Sequence, residues 1–528
     1  MATAERGARR TRLPALGSFF GPVEGTRHGY LRARWLFLRA LGLVFLSAFY
    51  SLAFQIHGLI GPRGILPAGR YLASVGRAYP SLARFWYAPT LLWISSSDRA
   101  LAVLLVAGFA ASIALVLNLW PRASLGICLL AFLSFIGAAQ DFASYQSDGM
   151  LLEAGFLSLF LAPPGLYPRL GAAHPPSPAS LWLLRWEWFR IYFESGVVKL
   201  ASGEPQWRDL TAMDRYYENG PLPTWIGWYA HQLPHRFHAA TALFTLIAEL
   251  GLAWLVFLPR RYRLAAFLIL TPFQIAIILS ANYAYLNYLV LILGILLVDD
   301  AALAKVGLRP PPELPVARPR AWRLAAAAFA LVWVFYATAV AMAGVLGIRS
   351  LPGPLLAPAI ALEPFRIANR YGLFAVMTRA RYEIELQGTR DGAAWVAYPF
   401  RYKPQDIRRA PGIYAPYQPR FEWNLWFASL EGWEANPWVV SAEVRLLERE
   451  PAVLALFARD PFRGAPPTAV RTVRWQYWFT DRKTRAATGA WWRRELLGPF
   501  APAVRRNPDG SVSLVEQEPA QPTDILAR

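Results

Sequence analysis

The chain has 528 residues, of which 55% are hydrophobic and only 17% are charged. A soluble protein of this length needs a more polar surface, so the composition predicts an integral membrane protein. The net charge of +20 is high enough for a nucleic-acid-binding protein. However, the basic residues cluster in loops between apolar runs, as the positive-inside rule expects, and no nucleic-acid-binding motif occurs. The single cysteine, Cys128, excludes an intramolecular disulfide and a CxxC redox pair.

Residues 1–34 are rich in arginine and are predicted to form a cytoplasmic N-terminus. A polytopic membrane domain is predicted over 35–348, because its apolar runs approach the length that a hydrocarbon core of about 30 Å requires. The predicted spans are 35–57, 99–120, 122–140, 149–166, 181–200, 239–258, 263–281, 283–298 and 321–347. This odd number leaves the basic segments 259–263 and 299–322 inside. It also places the loop 201–238 and the C-terminal region outside.

After about residue 360 the apolar runs shorten, and tryptophan and proline become more frequent. Alternation of apolar and polar residues with a period of two predicts strands at 381–388, 393–402, 440–448 and 470–480. The fold class is therefore an α-helical polytopic membrane domain followed by a β-rich extracytoplasmic domain over 360–500. The polar residues 501–528 are predicted to form a disordered tail.

One membrane-like segment carries polar side chains near its start. The stretch SYQSDGMLLEAGFLSLFLAP, residues 144–163, contains Gln146, Asp148 and Glu153. We expect the helix to begin at Gly149, which makes Asp148 its N-cap. Glu153 lies more than a turn inside, where an ionised carboxylate needs a partner or water. It is predicted either to form a structural ion pair or to line a functional polar cavity.

The expected partner of Glu153 is the segment WEWFRIYFESGVVKL, residues 186–200. Its residues Glu187, Arg190 and Glu194 share one helix face, so they either form a ladder of ion pairs or belong to the same cavity. Lys199 lies off that face and either extends its ammonium group to the interface or, if buried, acts as a base. Together with Arg185, these side chains complete the predicted membrane polar cluster. No common catalytic motif occurs, and no metal or cofactor is predicted.

The C-terminal region contains stretches rich in aromatic residues, proline and arginine. They include NRYGLF (369–374), APYQPRFEWNLWFASL (415–430) and GAWWRREL (489–496). If exposed, rings of this kind form a protein-binding surface; alternatively, they pack the core of a small β domain.

These stretches, with SYQSDGMLLEAGFLSLFLAP and LLRWEWFRIYFESGVVKLASGEPQWRDL, resemble the lipase maturation factors over roughly residues 30–500. The resemblance implies a membrane-bound folding factor that needs no covalent chemistry and no cofactor. Its partners would be membrane lipids and a secreted lipase or another exported client protein. The client-binding candidates are Asn369, Tyr371, Gln418, Arg420, Trp423, Trp426, Phe427, Trp491, Trp492 and Arg494. The eukaryotic members are endoplasmic-reticulum membrane proteins. The scarcity of cysteines and the absence of N-glycosylation sites here favour a bacterial inner membrane instead.

A second resemblance leads to a different class of function. The segment YFESGVVKL, with the tryptophan-containing loop after it, resembles the membrane superfamily of the vitamin K-dependent gamma-glutamyl carboxylase. That resemblance implies an enzyme acting on a lipid-like cofactor, with Lys199 as its base. A transporter is a third alternative, for which the sequence offers no inverted repeat.

Overall fold

The structure is a computed structural model that describes residues 19–21, 29–308, 314–317, 319–348 and 350–515. Most of the predicted cytoplasmic segment 1–34 lies outside these residues. Its C-terminal end is helical, because the helix Leu31–Ala53 begins before residue 35. Arg34 is buried in that helix and donates hydrogen bonds of 2.6 Å to the carbonyl oxygens of Leu170 and His174. The helix that contains the first predicted span therefore begins before residue 35.

The N-terminal half is helical. Its first eight helices are α1 (Leu31–Ala53), α2 (Ile56–Ile60), α3 (Ala68–Ala78), α4 (Ala83–Tyr87), α5 (Asp98–Val116), α6 (Pro121–Ile136), α7 (Gln146–Leu161) and α8 (Pro178–Ala201). The next eight are α9 (Met213–Asn219), α10 (Trp225–His231), α11 (His235–Leu250), α12 (Arg260–Ser280), α13 (Leu286–Gly294), α14 (Asp300–Ala304), α15 (Ala321–Val345) and α16 (Gly353–Ile360). The predicted outer loop 201–238 contains α9 and α10.

A helix lies at each of the nine predicted spans, but their number as membrane crossings is not confirmed. In the described part of the chain, five helical segments are long and apolar enough to cross a membrane. They are Leu31–Ala53, Asp98–Val116, His235–Phe257, Arg260–Ser280 and Ala321–Val345. Two of the remaining helical segments, Pro121–Ile136 and Leu286–Leu297, are apolar but shorter. The helix α8 is long enough, yet its charged side chains lower its hydropathy.

The C-terminal half contains a six-stranded antiparallel sheet. Its strands are β1 (Arg381–Thr389), β2 (Val396–Ala397), β3 (Ala469–Phe479), β4 (Trp492–Pro499), β5 (Ala503–Arg506) and β6 (Val512–Val515). The order is β2-β1-β3-β5-β6. Strand β3 pairs with β5 at Ala469 and Val470, and then with β4 from Val473 to Phe479. The long strands β1 and β3 confirm the period-two prediction at 381–388 and 470–480.

Four helices complete this half: α17 (Arg420–Ser429), α18 (Trp438–Leu447), α19 (Pro451–Leu454) and α20 (Arg482–Thr488). The predicted strand at 440–448 is wrong, because Val439, Ala442 and Leu446 recur at helical spacing and become the buried face of α18. The predicted strand at 393–402 shrinks to the two residues of β2. The domain is therefore a sheet covered by helices rather than a purely β structure.

The predicted disordered tail 501–528 is wrong for its first part. Strands β5 and β6 pair from Ala503↔Val515 to Arg506↔Val512 across a turn that contains Gly510 in a left-handed conformation. Val504 is fully buried, so the hairpin contributes to the core of the domain. The rest of the predicted tail, from residue 516, lies outside the described residues.

Candidate functional site

The Asp148 carboxylate binds an arginine of the C-terminal half. Helix α7 begins at Gln146 rather than at Gly149, so Asp148 lies in its first turn, and the prediction that Asp148 is the N-cap is wrong. The two Asp148 oxygens each accept a hydrogen bond of 2.7 Å from the Arg420 guanidinium. Asp148 also accepts a short hydrogen bond from the Tyr285 hydroxyl. All three side chains are buried, so this paired geometry is what makes the charges tolerable away from water.

Neighbouring groups fix the start of α17 against the membrane helices. The Arg420 guanidinium also donates to the carbonyl oxygen of Phe142, at 2.8 Å. The Gln55 amide donates to the Gln418 carbonyl oxygen at 2.9 Å and accepts from the Phe421 N–H at 3.2 Å. The Tyr145 hydroxyl donates to Asn424 at 2.6 Å. The QPR step at 418–420 is therefore a docking element.

A second buried cluster joins α7 and α8 to the stretch 369–374. Arg190 donates a short hydrogen bond to Glu153, and a second nitrogen donates to the Asn369 carbonyl oxygen at 2.7 Å. The other Glu153 oxygen accepts from the Asn369 N–H, the Asn369 amide and the Tyr371 hydroxyl, each at 3.0 Å. The geometry is thus consistent with the interpretation of Glu153 as half of an ion pair. Asn369 and Tyr371 of the C-terminal half supply the other hydrogen bonds to Glu153.

The same stretch then follows α8 along its length. Glu194 accepts from the Tyr371 N–H at 2.7 Å, and Gln146 accepts from the Gly372 N–H at 3.1 Å. The carbonyl oxygen of Leu373 accepts from the Lys199 ammonium at 3.0 Å. The residues of the predicted membrane polar cluster therefore mainly hold the NRYGLF stretch.

Arg185 is the member of that cluster that lies apart from the contacts with the C-terminal half. Arg185 lies toward the N-terminal end of α8. It donates two hydrogen bonds, of 3.0 and 2.8 Å, to the carbonyl oxygen of Leu296. Glu187 is fully buried close to Glu153 and Arg190. The structure thus brings Glu153, Glu187, Arg190 and Glu194 together but leaves Arg185 outside.

Lys199 is buried and paired with an acidic residue that the sequence reasoning missed. Both Glu249 oxygens lie 2.8 Å from the Lys199 nitrogen, and the Trp207 ring centroid is 5.0 Å away. The two Glu249 oxygens and the Leu373 carbonyl oxygen together accept the three N–H donors of the ammonium. A single carboxylate inside the apolar segment 239–258 was the available signal for Glu249.

Most of the predicted client-binding side chains are buried rather than exposed. The buried ones are Tyr371, Gln418, Arg420, Trp423, Trp426, Trp491 and Trp492, and Asn369 is partly buried. Phe427 is 45% exposed, and Arg494 lies at the surface with its guanidinium 4.2 Å from the centre of the Trp475 ring. The alternative interpretation, in which the rings pack a core, therefore describes the four tryptophans.

The residues after β3 contact the predicted outer loop. Trp491 packs edge-to-face on Trp228, with ring centroids 5.1 Å apart, and Arg485 lies 3.7 Å from the centre of the Trp491 ring. The Phe479 N–H donates to Glu218 at 2.6 Å, and burial raises the pKa of that carboxyl. The loop 201–238 and the sheet thus share one buried interface.

Within the C-terminal half, Glu422 organises the turn before α17. Its carboxylate accepts the N–H groups of Arg401, Tyr402 and Lys403 at 2.8, 2.9 and 2.6 Å. Burial still raises the pKa of Glu422, although the three donors lower it. Glu422 therefore stabilises the loop that precedes the docking element.

Comparison with known proteins covers both halves. The model of the lipase maturation factor transmembrane domain matches residues 32–305, and that of the lipase maturation factor C-terminal domain matches residues 367–502. No solved structure matches the chain.

Several full-length relatives are similar over most of their own length. Lipase maturation factor 1 of Bos taurus is 34% identical over 499 residues, covering 90% of this chain and 89% of the relative. Lipase maturation factor 2 of Homo sapiens is 32% identical, covering 89% of this chain and 82% of the relative. Lipase maturation factor 1 of Homo sapiens is 30% identical, covering 92% and 90%. The chain belongs to the lipase maturation factor family.

Proposed function

We propose that this chain is a membrane-bound maturation factor that helps secreted lipases, or other exported proteins, to reach an active folded state. The observation that carries the proposal is the similarity to lipase maturation factors over both halves, across about nine-tenths of the chain. The buried contacts between the halves support it, since they indicate that the matched regions act as one unit.

The proposal includes a topology. The membrane domain covers residues 35–348 and crosses the membrane an odd number of times, with nine crossings if every predicted span is one. The domain at 360–500 lies on the outer side together with the loop 201–238. The packing of Trp491 on Trp228 supports a common side for the loop and the domain. The proposed location is a bacterial inner membrane, which fits a chain with a single cysteine. Eukaryotic family members would occupy the endoplasmic reticulum.

The client surface is proposed around the accessible candidates, Phe427 and Arg494. An exposed aromatic ring on α17 can cover apolar surface that a client buries only when it is folded. The buried candidates would act indirectly, by holding α17 and the 369–374 stretch in position.

The carboxylase-like alternative is less well supported. A base must be able to give up its proton to a substrate within hydrogen-bonding reach. Here the three donors of Lys199 point to Glu249 and to the Leu373 carbonyl oxygen. The pair has the geometry of a structural contact between α8 and α11.

The test is the specific activity of a co-expressed secreted lipase, per mole of lipase exported, with this protein present or absent. The variant Lys199→Met/Glu249→Leu removes both charges together and so leaves no unpaired ion. We expect the protein's absence to lower specific activity and the double variant to retain it. Unchanged activity in the protein's absence would refute the maturation role. A double variant that folds but behaves like the deletion would favour the enzyme.

A further inference from the structure

A cavity of about 610 Å³ lies among α8, α11, α12 and α13, within the helical half. Its wall is mainly apolar and includes Ile191, Phe244, Ile269 and Phe273. This volume falls within the range of about 300–1,000 Å³ that is typical of pockets for small ligands. The cavity is separate from the clusters that hold the C-terminal half, except at Lys199, Leu373 and Phe374.

The cavity is bordered by two candidate spans that the protein leaves largely uncovered. Only 22% of the His235–Phe257 window and 17% of the Arg260–Ser280 window are buried. Phe237, Phe244 and Ile269 line the cavity and are also partly exposed on this face. In a membrane such a face contacts acyl chains, so a lipid has direct lateral access.

The charged groups on the cavity wall neutralise each other. Lys199 and Glu249 form a pair at 2.8 Å, and the third donor of Lys199 is taken by the Leu373 carbonyl oxygen. An anionic headgroup would have to compete with Glu249 for the ammonium. The wall is therefore complementary to a neutral ligand.

A short chain of buried polar groups ends in the cavity wall. The Gln274 amide donates to the Tyr192 hydroxyl at 2.7 Å, and the Asn287 amide donates to Gln274 at 2.7 Å. The other end of the Asn287 amide, Oδ1, has no hydrogen-bond partner among the described residues, although Asn287 is only 6% exposed. Reversing both amides would leave an N–H group unpaired there instead. A hydroxyl group, which both donates and accepts, satisfies either arrangement.

We propose that this cavity binds a neutral lipid with one acyl chain and a hydroxyl headgroup, of the monoacylglycerol type. The acyl chain lies against the apolar wall, and a hydroxyl group pairs with Asn287. Burying the chain supplies the affinity, and the single polar contact orients the headgroup. This binding site goes beyond the maturation role and does not depend on it.

The test uses the full-length protein, purified in detergent, and a monoacylglycerol with a photoactivatable diazirine in its acyl chain. We expect saturable labelling of peptides from α11 and α12, detected by mass spectrometry. Excess unlabelled monooleoylglycerol should reduce the labelling at least about tenfold, whereas oleate and methyl oleate should compete at least about tenfold more weakly, as expected for one lost or unfavourable polar contact.

Two variants on α11 provide a matched comparison. Thr245→Phe fills space in the cavity and should lower labelling strongly, whereas Leu243→Phe adds a ring on the exposed side and should leave labelling unchanged. Asn287→Leu should make methyl oleate compete as well as monooleoylglycerol.

Labelling that is not saturable, or that Thr245→Phe leaves intact, would overturn the cavity as the binding site. Equal competition by oleate or methyl oleate on the unaltered protein would overturn the neutral hydroxyl headgroup. Because this competition needs no variant, the proposal stays testable even if Thr245→Phe does not fold.

Discussion

Helices α7 and α8 differ from α11 and α12 in what their polar side chains contact. On α7 and α8, Asp148, Glu153 and Arg190 are paired with one another or with residues of the C-terminal half. On α11 and α12, fewer acidic and basic side chains are buried; Glu249, which is buried, borders the cavity and pairs with Lys199 of the same helical half. The difference indicates that the charges in this membrane domain serve mainly to attach the C-terminal half, whereas the other face is adapted to lipid.

The largest expected effect follows from removing Arg190. Arg190→Met leaves Glu153, Glu187 and Glu194 buried without their guanidinium, which costs about 3–5 kcal/mol. We expect the variant to accumulate poorly and to lose most of its thermal stability in detergent. Arg185→Met, on the same helix, loses hydrogen bonds to one carbonyl oxygen and should cost about 1–3 kcal/mol. Equal losses for the two variants would contradict a special role of the Glu153 cluster.

A smaller loss is expected on the C-terminal side of the same cluster. Asn369→Ala removes an amide that donates to Glu153 at 3.0 Å and to the Gly149 carbonyl oxygen at 2.9 Å. The partly unsatisfied carboxylate should destabilise the protein by about 1–3 kcal/mol. Asn436→Ala is the matched control, because Asn436 also donates to a carboxylate but lies on the surface. Its melting temperature should stay close to that of the unaltered protein.

A carboxylate without an arginine partner should respond differently to pH. Glu443 on α18 is fully buried and accepts a hydrogen bond of 2.7 Å from Thr472. Burial raises the pKa of Glu443 well above its ordinary value. The folded state therefore binds this proton more tightly than the unfolded state, and its contribution to stability falls as pH rises above the ordinary pKa.

Glu443→Gln removes this pH dependence. Relative to the unaltered protein, the variant should gain about a few degrees in melting temperature between pH 5 and pH 8. Melting curves at several pH values measure the gain. A difference between the two proteins that does not change with pH would exclude a raised pKa at Glu443.

The smallest effect on stability is expected at the proposed client surface. Phe427→Ala removes a ring that is 45% exposed, so it should change stability by less than about 1 kcal/mol. If Phe427 contacts the client, client affinity should fall by about tenfold, which appears as lower lipase specific activity at limiting protein. Leu497→Ala, at a residue that is 42% exposed on β4, should have little effect. Similar activity for both variants would move the client surface elsewhere.

Local patterns predicted the helical segments. They also predicted β1 and β3, because the alternating stretches at 381–388 and 470–480 overlap strands of nine and eleven residues. They failed at 440–448, where an alternation of apolar and polar residues resembled a strand although the buried positions recur at helical spacing. They also failed for the hairpin in the predicted tail, because its strands have only four residues each.

The candidate site could be predicted only in part. The sequence identifies the segment 186–200 as the partner of Glu153, because both carry charged side chains inside otherwise apolar stretches. It assigns Asp148 to a helix cap, since nothing local indicates a partner 272 residues away. For the same reason, the aromatic and arginine-rich stretches are predicted to form a client surface, although most of their side chains attach or pack the C-terminal half.

The most direct test of this attachment is a double-mutant cycle on Asp148 and Arg420. Unfolding free energies in detergent would be measured for Asp148→Leu, Arg420→Met and the double variant. We predict that each single variant is destabilised by about 3–5 kcal/mol and that the double variant recovers much of this loss, giving a coupling of about 3 kcal/mol. Additive losses, with a coupling below about 0.5 kcal/mol, would contradict the claim that this pair holds the two halves together.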